Sequence, residues 1–379
     1  MRIVVFGHDA DDAMLARRIA AMEALGHTVT AYTMRRGPQQ RRTWDNHDLG
    51  QTHDGQMLHR LWALWKGLGR GPSPATLAQA DLIWARNLDM LLLARAALRR
   101  VRKNIPIAYE ALDIHWSLSQ QSLRGALMRA TERWAMASAH GLITSSPGFI
   151  QNYFARYQKD HPPVHLLENK VPSDRLPARP SPNPRGQAEP TPPLRVGFVG
   201  ALRCERSFTL LAQTANMMDG AISVHLHGKV SDDGIPNFEE RIKASVHMTY
   251  YGPYQSPEDL EAVYSTLDIV WAGDYLMAGK SSSWSLVNRL YEGGYFGVPC
   301  LAPGGTQTAK WIEQNRTGLT LSDPCPNTLC HLLRQLMKGD QLYQLRRQVL
   351  AVPTHIFSQG NQALEQIIQT VANTGRRSE

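Results

Sequence analysis

The length and composition of this chain limit what it can be. It has 379 residues, 42% of them hydrophobic, and a formal net charge of +8. One hydrophobic core usually stops growing below this length, so two domains of ordinary size are expected. The four cysteines show neither a Cys-x-x-Cys pair nor zinc-type histidine spacing, and the N-terminus has no apolar run suited to secretion. The sequence therefore predicts a reduced, cytoplasmic protein without a metal site.

Hydropathy and charge narrow the class of partner. No segment reaches the roughly 18 uninterrupted apolar residues that a membrane-spanning helix needs. Residues 1–180 hold 24 Lys and Arg against 15 Asp and Glu, whereas the remainder holds 17 against 18. A basic half can attract nucleic acid, an anionic leaflet or a phosphorylated substrate, or can simply be a solvated face. Zinc-finger spacing, RNA-binding aromatic motifs and long Lys/Arg tracts are missing, which argues against nucleic acid.

The first half of the chain alternates short apolar runs with segments of helical periodicity. This alternation is typical of a parallel α/β sheet. The predicted strands are Arg2–Phe6, Thr28–Tyr32, Asp81–Ala85, Ile105–Tyr109 and Gly141–Thr144, and the predicted helices are Ala10–Leu25, Leu88–Val101 and Leu123–Ala139.

A proline-rich segment separates this half from a second α/β series. Residues 172–193 contain eight of the 23 prolines, which predicts a semi-extended linker. We therefore place an N-terminal Rossmann-like domain at 1–171, a C-terminal one at 194–354, a helix that could cross back at 355–372 and a disordered polar tail at 373–379. The second series has predicted strands Leu194–Val199, Ser223–Leu226, Asp268–Trp271 and Pro299–Ala302, and predicted helices Ser207–Met218, Asp259–Ser265, Leu286–Phe296 and Phe357–Val371.

Two nucleotide-binding-like units invite a dehydrogenase interpretation. The first turn, however, reads Phe6-Gly7-His8-Asp9-Ala10, with one glycine where a dinucleotide fingerprint needs three. A pyrophosphate there would meet side chains instead of bare backbone. The sequence thus argues against an NAD enzyme and predicts no cofactor.

The strongest chemical signal lies between Tyr264 and Gly305. A strand there precedes a polar loop, a helix with Asn288 and Glu292, and the turn Gly297-Val298-Pro299. This order resembles the donor half of GT-B glycosyltransferases, especially family 4, in which a helix glutamate hydrogen-bonds the donor ribose; Glu292 falls at that position. A carboxylate there can accept both vicinal ribose hydroxyls. Backbone and hydroxyl groups of Ser281, Ser282 and Ser283, with the charge of Lys280, would face a diphosphate, or the serines could merely cap a loop.

Two further features of the second half bear on the donor. Family 4 usually carries an earlier glutamate eight residues before the ribose glutamate, and this chain has Trp284 there. Asn288 and Arg289 are the nearest polar candidates to replace it in sugar recognition. In the related enzymes the loop after the first strand carries basic residues against the diphosphate, and Gly200, Arg203 and Arg206 match it; these arginines could equally be plain surface residues.

The first half offers a candidate catalytic cluster after a strand. Glu110, Asp113 and His115 resemble the Glu-x-x-Asp-x-His stretch of bacterial exopolysaccharide glycosyltransferases of succinoglycan type. His115 or Asp113 could be the base, His115 could hydrogen-bond the transferred sugar, or Asp113 and His115 could only cap the next helix. The acceptor side would include Gly7, His8, Asp9 and Asp12, although these acids also suit a helix N-terminus.

The resemblance implies a fold and a reaction. The expected fold is α/β of the GT-B type, two Rossmann-like domains facing across a cleft. The expected activity is metal-independent transfer of a hexose from a nucleotide sugar, with UDP as the expected nucleotide, to a carbohydrate or lipid-diphosphate-linked acceptor in bacterial polysaccharide biosynthesis. The basic half would suit peripheral contact with the anionic inner face of the membrane. A GT-B nucleotide-sugar epimerase and a non-catalytic sugar- or nucleotide-binding partner of an assembly complex are the alternatives.

Overall fold

The structure, a computed structural model, describes residues 1–39, 41–52, 67, 69–101, 103–181, 192–231 and 234–376. It divides into two compact units, the first formed by Met1–Leu167 with Asn361–Glu379 and the second by Glu168–Gly360. Each unit is built on a parallel sheet with helices between the strands, so the prediction of two Rossmann-like α/β units is confirmed.

The first unit follows the predicted alternation closely. Every strand pair in its sheet is parallel, which requires a crossover between successive strands. Its strands are β1 (Arg2–Gly7), β2 (Thr28–Arg35), β3 (Asn46–Gln51), β4 (Leu82–Arg86), β5 (Ile107–Ala111), β6 (Gly141–Thr144) and β7 (Val164–Leu166); its helices are α1 (Ala13–Ala24), α2 (Pro74–Gln79), α3 (Asn87–Leu98), α4 (Leu123–Met136) and α5 (Pro147–Phe149, continued by the π-helix Ile150–Phe154 and by Ala155–Tyr157).

The strand order of the first sheet is β3-β2-β1-β4-β5-β6-β7. The order reverses between β1 and β4, and side chains at the carboxyl ends of these two strands therefore border a crevice. Every residue of β4 and β5 is buried, as expected for central strands covered by helices on both faces. Arg86 and Glu110, at the carboxyl ends of β4 and β5, are partners in the strand register.

Short polar residues start several of these helices. The carboxylate of Asp12 accepts a hydrogen bond from the Met14 amide at the start of α1. The hydroxyl of Ser122 accepts one from the Gly125 amide at the start of α4. Because the first amides of a helix have no partner within it, such caps fix where each helix begins.

The second unit has the same kind of sheet, in the order β11-β10-β9-β12-β13-β14, with the reversal between β9 and β12. A separate parallel pair joins β8 to β15. The strands are β8 (Val171–Pro172), β9 (Leu194–Val199), β10 (Ile222–His227), β11 (Met248–Tyr250), β12 (Ile269–Trp271), β13 (Cys300–Pro303), β14 (Gly318–Leu321) and β15 (Ser358–Gln359); the helices are α6 (Glu205–Met218), α7 (Phe238–Lys243), α8 (Leu260–Ser265), α9 (Ser281–Trp284), α10 (Arg289–Tyr295), α11 (Gln307–Asn315), α12 (Pro326–Leu336) and α13 (Gln341–Ala351).

The last helix, α14 (Gln362–Arg376), belongs to the first unit. Leu364, Ile368 and Val371 pack in the same buried cluster as the β1 side chains Ile3 and Val5. The Nε2 of His27 lies 2.7 Å from a carboxylate oxygen of Glu365, within hydrogen-bond distance. These contacts make α14 part of the helical layer that covers the first sheet.

Most predicted boundaries differ from the structure by a few residues, and three of the differences bear on the second unit and the end of the chain. The helix predicted from Leu286 begins at Arg289, because the preceding serines form the separate α9. The final helix is Gln362–Arg376, so residues 373–376 of the predicted tail are helical; residues 377–379 lie outside the described part. Residues 172–181 of the predicted linker belong to the second unit, where Arg179 donates to the carbonyl oxygens of Tyr295 and Val349; residues 182–191 are not described.

In the part of the chain that the structure describes, no helix is both long enough and apolar enough to cross a membrane.

Candidate functional site

The carboxyl edge of the second sheet is the first candidate site. Three strands there are followed within two residues by glycines with positive φ, namely Gly200 (110°), Gly228 (136°) and Gly252 (89°). A side chain at Gly228 would place its Cβ 1.8 Å from the Gly200 carbonyl oxygen, so only glycine fits. The Gly228 amide donates to the Gly252 carbonyl at 2.8 Å. The strand ends thus present backbone rather than side chains beside the reversal of strand order, where ligands bind in such sheets.

Arg289, in the first turn of α10, spans that reversal. Its Nη1 donates to the Val199 carbonyl at the end of β9 (2.7 Å), and its Nη2 donates to the Gly273 carbonyl just beyond β12 (3.1 Å). The residue is only 7% exposed, and its Nε is buried without a hydrogen-bond partner. Within the described residues its guanidinium forms no ion pair with a carboxylate. The guanidinium also lies over the Phe198 ring, 5.2 Å from its centroid. A buried cation held by carbonyl dipoles and a ring, without a negative charge beside it, favours an anion nearby.

Glu292, one turn further along α10, is 3% exposed. Its Oε2 accepts hydrogen bonds from the Tyr264 hydroxyl at 3.0 Å and from the Tyr254 hydroxyl at 3.2 Å. Burial, with the Glu292 charge beside it, raises the pKa of Tyr264 well above its ordinary value, so this hydroxyl stays a donor. The two tyrosines hold the carboxylate in one orientation at the edge of the sheet.

Arg203 and Arg206 follow Gly200 and line a cavity of about 560 Å³. Arg203 donates to the Asp274 carboxylate at 3.1 Å, and the Arg206 guanidinium lies over the Tyr275 ring, 4.2 Å from its centroid. Burial raises the pKa of Tyr275 to about 12 although Arg206 opposes the shift. Arg203 is thus neutralised by a carboxylate, whereas Arg206, like Arg289, has an aromatic ring beside it.

The serine-rich loop is occupied by its own hydrogen bonds. The Ser282 hydroxyl accepts from the Met277 amide at 3.0 Å, and the Ser283 hydroxyl accepts from the Gly279 amide at 2.8 Å. Ser281 is buried. These contacts favour the loop-capping interpretation of the serines. Lys280 precedes α9, and Asn288 precedes α10, next to Arg289.

The structure argues against Glu110 as a catalytic residue. It is 1% exposed, and Arg18 donates to its Oε1 at 2.9 Å while Trp84 donates to its Oε2 at 2.7 Å. Arg86, itself fully buried, lies 3.0 Å from Oε2. Burial alone would raise the pKa of Glu110, but Arg18 and Arg86 hold its net pKa below the ordinary value. A carboxylate enclosed by these groups binds strands together instead of moving a substrate proton.

Asp113 and His115 lie in the exposed loop after β5. The Asp113 carboxylate accepts a hydrogen bond from the Ile114 amide at 2.8 Å. The Nδ1 of His115 lies 3.4 Å from the Ser117 amide, which donates to it, and 2.7 Å from the Ser117 hydroxyl. Because Nδ1 accepts, the proton of a neutral ring is assigned to Nε2. This tautomer makes His115 a hydrogen-bond donor, which favours the sugar-binding role over the base.

The predicted acceptor-side residues lie together after β1, and most are already engaged. Asp9 accepts from the Asp11 amide at 3.0 Å, and Asp12 caps α1 and pairs with Arg86 at 3.2 Å. Gly7, the last residue of β1, packs closely on Leu15, since a Cβ there would lie 2.5 Å from the end of the Leu15 side chain. His8 remains the candidate for ligand contact: burial lowers the pKa of its ring, opposed by Asp12, so it is uncharged near neutral pH.

Sequence reasoning missed three residues at these edges. Tyr254 and Tyr264 hold Glu292 from 38 and 28 positions away, and no local pattern marks them. Asn87, the residue after β4, has a φ of 69° and lies 3.3 Å from His8 through its Nδ2. The signal for Asn87 was present, because asparagine is enriched in left-handed backbone and the residue ends a strand at the reversal point.

The sequence is similar to known proteins over most of its length. Residues 13–170 match the family model described as glycosyl transferase 4-like domain. The chain is 34% identical over 341 residues to the succinoglycan biosynthesis protein ExoL of Rhizobium meliloti (strain 1021), covering 89% of this chain and 85% of ExoL.

Solved structures share the fold at low sequence identity. The sucrose-phosphate synthase of Thermosynechococcus elongatus has a TM-score of 0.73 at 14% identity and covers 98% of this chain and 99% of its own. Anabaena HepE in complex with UDP has a TM-score of 0.67 at 14% identity, covering 98% and 100%. WaaG, a glycosyltransferase involved in lipopolysaccharide biosynthesis, has a TM-score of 0.65 at 13% identity, covering 97% and 99%. The prediction of a GT-B fold is confirmed.

The Glu110 network predicts a large stability effect. The substitution Glu110→Gln leaves Arg18 and Arg86 buried beside a neutral amide, and we expect it to lower the free energy of unfolding by about 3 to 5 kcal/mol. Urea denaturation at pH 7 measures this difference. Since the folded pKa of Glu110 is lowered, the stabilisation is present above the unfolded-state pKa of about 4.3 and is lost only as the pH falls through the folded value.

Glu258→Gln is the matched control. Glu258 pairs with Arg175, and both side chains are about half exposed (45% and 51%), so the expected change is below about 1 kcal/mol. Equal losses in the two variants would contradict a buried, charge-satisfying role for Glu110.

Proposed function

We propose that this chain is a hexosyltransferase of bacterial exopolysaccharide biosynthesis with a UDP-sugar as donor. The chain belongs to the glycosyl transferase 4-like family and has the GT-B fold. The family and the kinship with ExoL support glycosyl transfer. The UDP complex of HepE, a protein of the same fold, supports the choice of nucleotide.

The observation that carries the proposal is the buried guanidinium of Arg289 at the strand-order reversal. A nucleoside diphosphate brings the negative charge that this site lacks, at a strand edge made of glycine backbone. The leaving diphosphate gains charge during transfer, and a fixed cation there stabilises the transition state more than the ground state. We therefore assign Arg289 to the diphosphate rather than to the sugar hydroxyls.

Glu292 is proposed to bind the ribose. Tyr254 and Tyr264 already hold the carboxylate in one orientation. Its hydrogen bonds to two vicinal ribose hydroxyls would therefore cost little side-chain conformational entropy on binding. Arg203 and Arg206 would contribute at longer range, since each is held by a partner of its own.

The first unit is proposed to bind the acceptor and assist transfer. His115, with its proton on Nε2, donates a hydrogen bond to the transferred sugar, and Asp113 is the proposed base for the acceptor hydroxyl. His8 is proposed to contact the acceptor, a saccharide or a lipid-diphosphate-linked saccharide. We propose that arginine charge replaces a metal in this reaction.

A ligand panel tests the function. We expect UDP and UDP-hexoses to raise the free energy of unfolding by about 2.7 kcal/mol at a hundredfold excess over Kd, and ADP, GDP and uridine to act more weakly at equal concentration. Thermal denaturation measures the shift, and product analysis with donor alone separates transfer from epimerisation. The proposal is wrong if none of the nucleoside diphosphates raises the unfolding temperature.

Substitution of Arg289 tests the anion site. Arg289→Met removes the charge at similar volume, and we expect UDP affinity to fall roughly ten- to hundredfold while uridine affinity stays within a factor of about two. Calorimetric titration gives both constants. Arg195→Met is the control. Arg195 lies at the amino end of β9, the strand whose carboxyl end Arg289 contacts, and its substitution should leave UDP affinity unchanged. A parallel loss of UDP and uridine binding would show that Arg289 only supports the strands.

Substitution of Glu292 tests the ribose contact. We expect Glu292→Gln to weaken UDP binding roughly tenfold and to leave 2′,3′-dideoxy-UDP binding unaltered, because the second ligand lacks the hydroxyls that the carboxylate would accept. An equal effect on both ligands would remove the ribose assignment.

A further inference from the structure

Helix α4 of the first unit exposes an unusual group of apolar side chains. Nine large hydrophobic residues are exposed in the described part of the chain, and four of them lie on α4 or in the loop before it. Their exposed fractions are 92% for Leu123, 68% for Leu127, 47% for Trp134 and 38% for Trp116. Single exposed apolar residues are ordinary, but a cluster on one element indicates a binding surface.

The helix geometry aligns these residues. Leu123, Leu127, Ala130 and Trp134 follow spacings of four, three and four, which place them in one row along the helix. We call this row the α4 stripe. The stripe faces solvent, whereas the opposite side of α4 is buried and includes Glu132. The helix therefore carries apolar residues on its solvent-facing row as well as on its buried side.

A buried network fixes the rotation of α4. Glu132 is fully buried and accepts hydrogen bonds from the hydroxyls of Tyr109 (2.9 Å) and Tyr153 and from the Gln158 amide (2.8 Å). Turning the stripe inward would break these bonds and expose the carboxylate. The outward position of the apolar row is thus built into the unit.

Arginines border the α4 stripe. Arg124 and Arg133 are exposed on its two sides, and the Arg124 guanidinium lies 5.3 Å from the Trp116 ring centroid. From α3, Arg95 and Arg99 lie over the Trp134 ring at 4.1 and 5.6 Å. The acidic residue of α4 is Glu132, on the buried side. The border of the stripe is therefore positive, without exposed acids on the helix itself.

We propose that the α4 stripe is a membrane-docking surface that lies in the headgroup region of an anionic bilayer. Leucines and tryptophans enter the boundary between headgroups and acyl chains, and the bordering arginines bind lipid phosphates while their stems cover the apolar row. Charge complementarity favours lipid over a protein partner, because the positive border matches a negative surface along the whole row. The inference rests on the proposed function only in linking the surface to a lipid-linked acceptor.

Vesicle binding tests the surface directly. The full chain is mixed with vesicles of phosphatidylcholine alone or with 30% phosphatidylglycerol, and the bound fraction is measured by flotation at low and high salt. We expect binding to the anionic vesicles at low salt, and Leu123→Gln with Leu127→Gln should lower the partition coefficient roughly tenfold or more. Arg124→Gln with Arg133→Gln should lower it several-fold and weaken the preference for anionic lipid.

Matched controls separate the surface from the fold. Met217→Gln with Val246→Gln replaces exposed apolar residues of the second unit and should leave vesicle binding unchanged. Thermal stability and UDP affinity should be equal in all variants. Loss of the proposed donor site would appear as a lack of UDP binding, whereas loss of the docking surface would appear only in vesicle binding. The proposal is overturned if the wild-type chain binds neutral vesicles equally well, if the leucine variant binds like wild type, or if that variant instead dissociates a homodimer.

Discussion

The placement of buried arginine charge organises both units of this protein. Each sheet has a buried guanidinium beside the reversal of its strand order, Arg86 in the first and Arg289 in the second. In the first sheet Glu110 and Asp12 neutralise Arg86. In the second, Arg289 contacts two carbonyl oxygens and the Phe198 ring and, among the described residues, pairs with no carboxylate. Since an uncompensated buried charge is costly, the second sheet is the one prepared for an anion.

This difference underlies the different tasks that we propose for the two units, although their sheets have related topologies. A compensated network at the end of β4 and β5 holds the strand ends rigid, so the exposed loop with Asp113 and His115 starts from a fixed base. At the end of β9 and β12, the same rigidity comes from Arg289 itself, which joins the two strand ends through their carbonyl oxygens. The cation that positions the backbone is then also the cation that the diphosphate would neutralise.

The sequence predicted the fold well because its signals are local. The strands Gly141–Thr144 and Leu194–Val199 are as predicted, since continuous apolar runs between turn residues are typical of parallel sheets. The start of α10 was wrong because hydroxyls of the preceding serines cap their own loop. The pairing of β8 with β15 joins residues far apart in the chain, which no local pattern indicates. The enclosure of Glu110, which argues against its predicted catalytic role, could not be seen in the sequence for the same reason: its partners Arg18 and Trp84 come from other elements.

The charge excess of the first half can now be divided by environment. Arg18 and Arg86 are buried and pair with Glu110 and Asp12. These carboxylates largely cancel the charge of the two arginines, which therefore adds little to the positive potential at the protein surface. Other arginines, Arg95 of α3 and Arg124 of α4, lie over the exposed rings of Trp134 and Trp116. On a merely solvated basic face the cations would be spread over polar surface. Here they lie over tryptophan rings, beside an outward-facing apolar row whose orientation the Glu132 hydrogen bonds fix. The distribution of charge, more than its sum, therefore distinguishes a docking surface from a solubilising one.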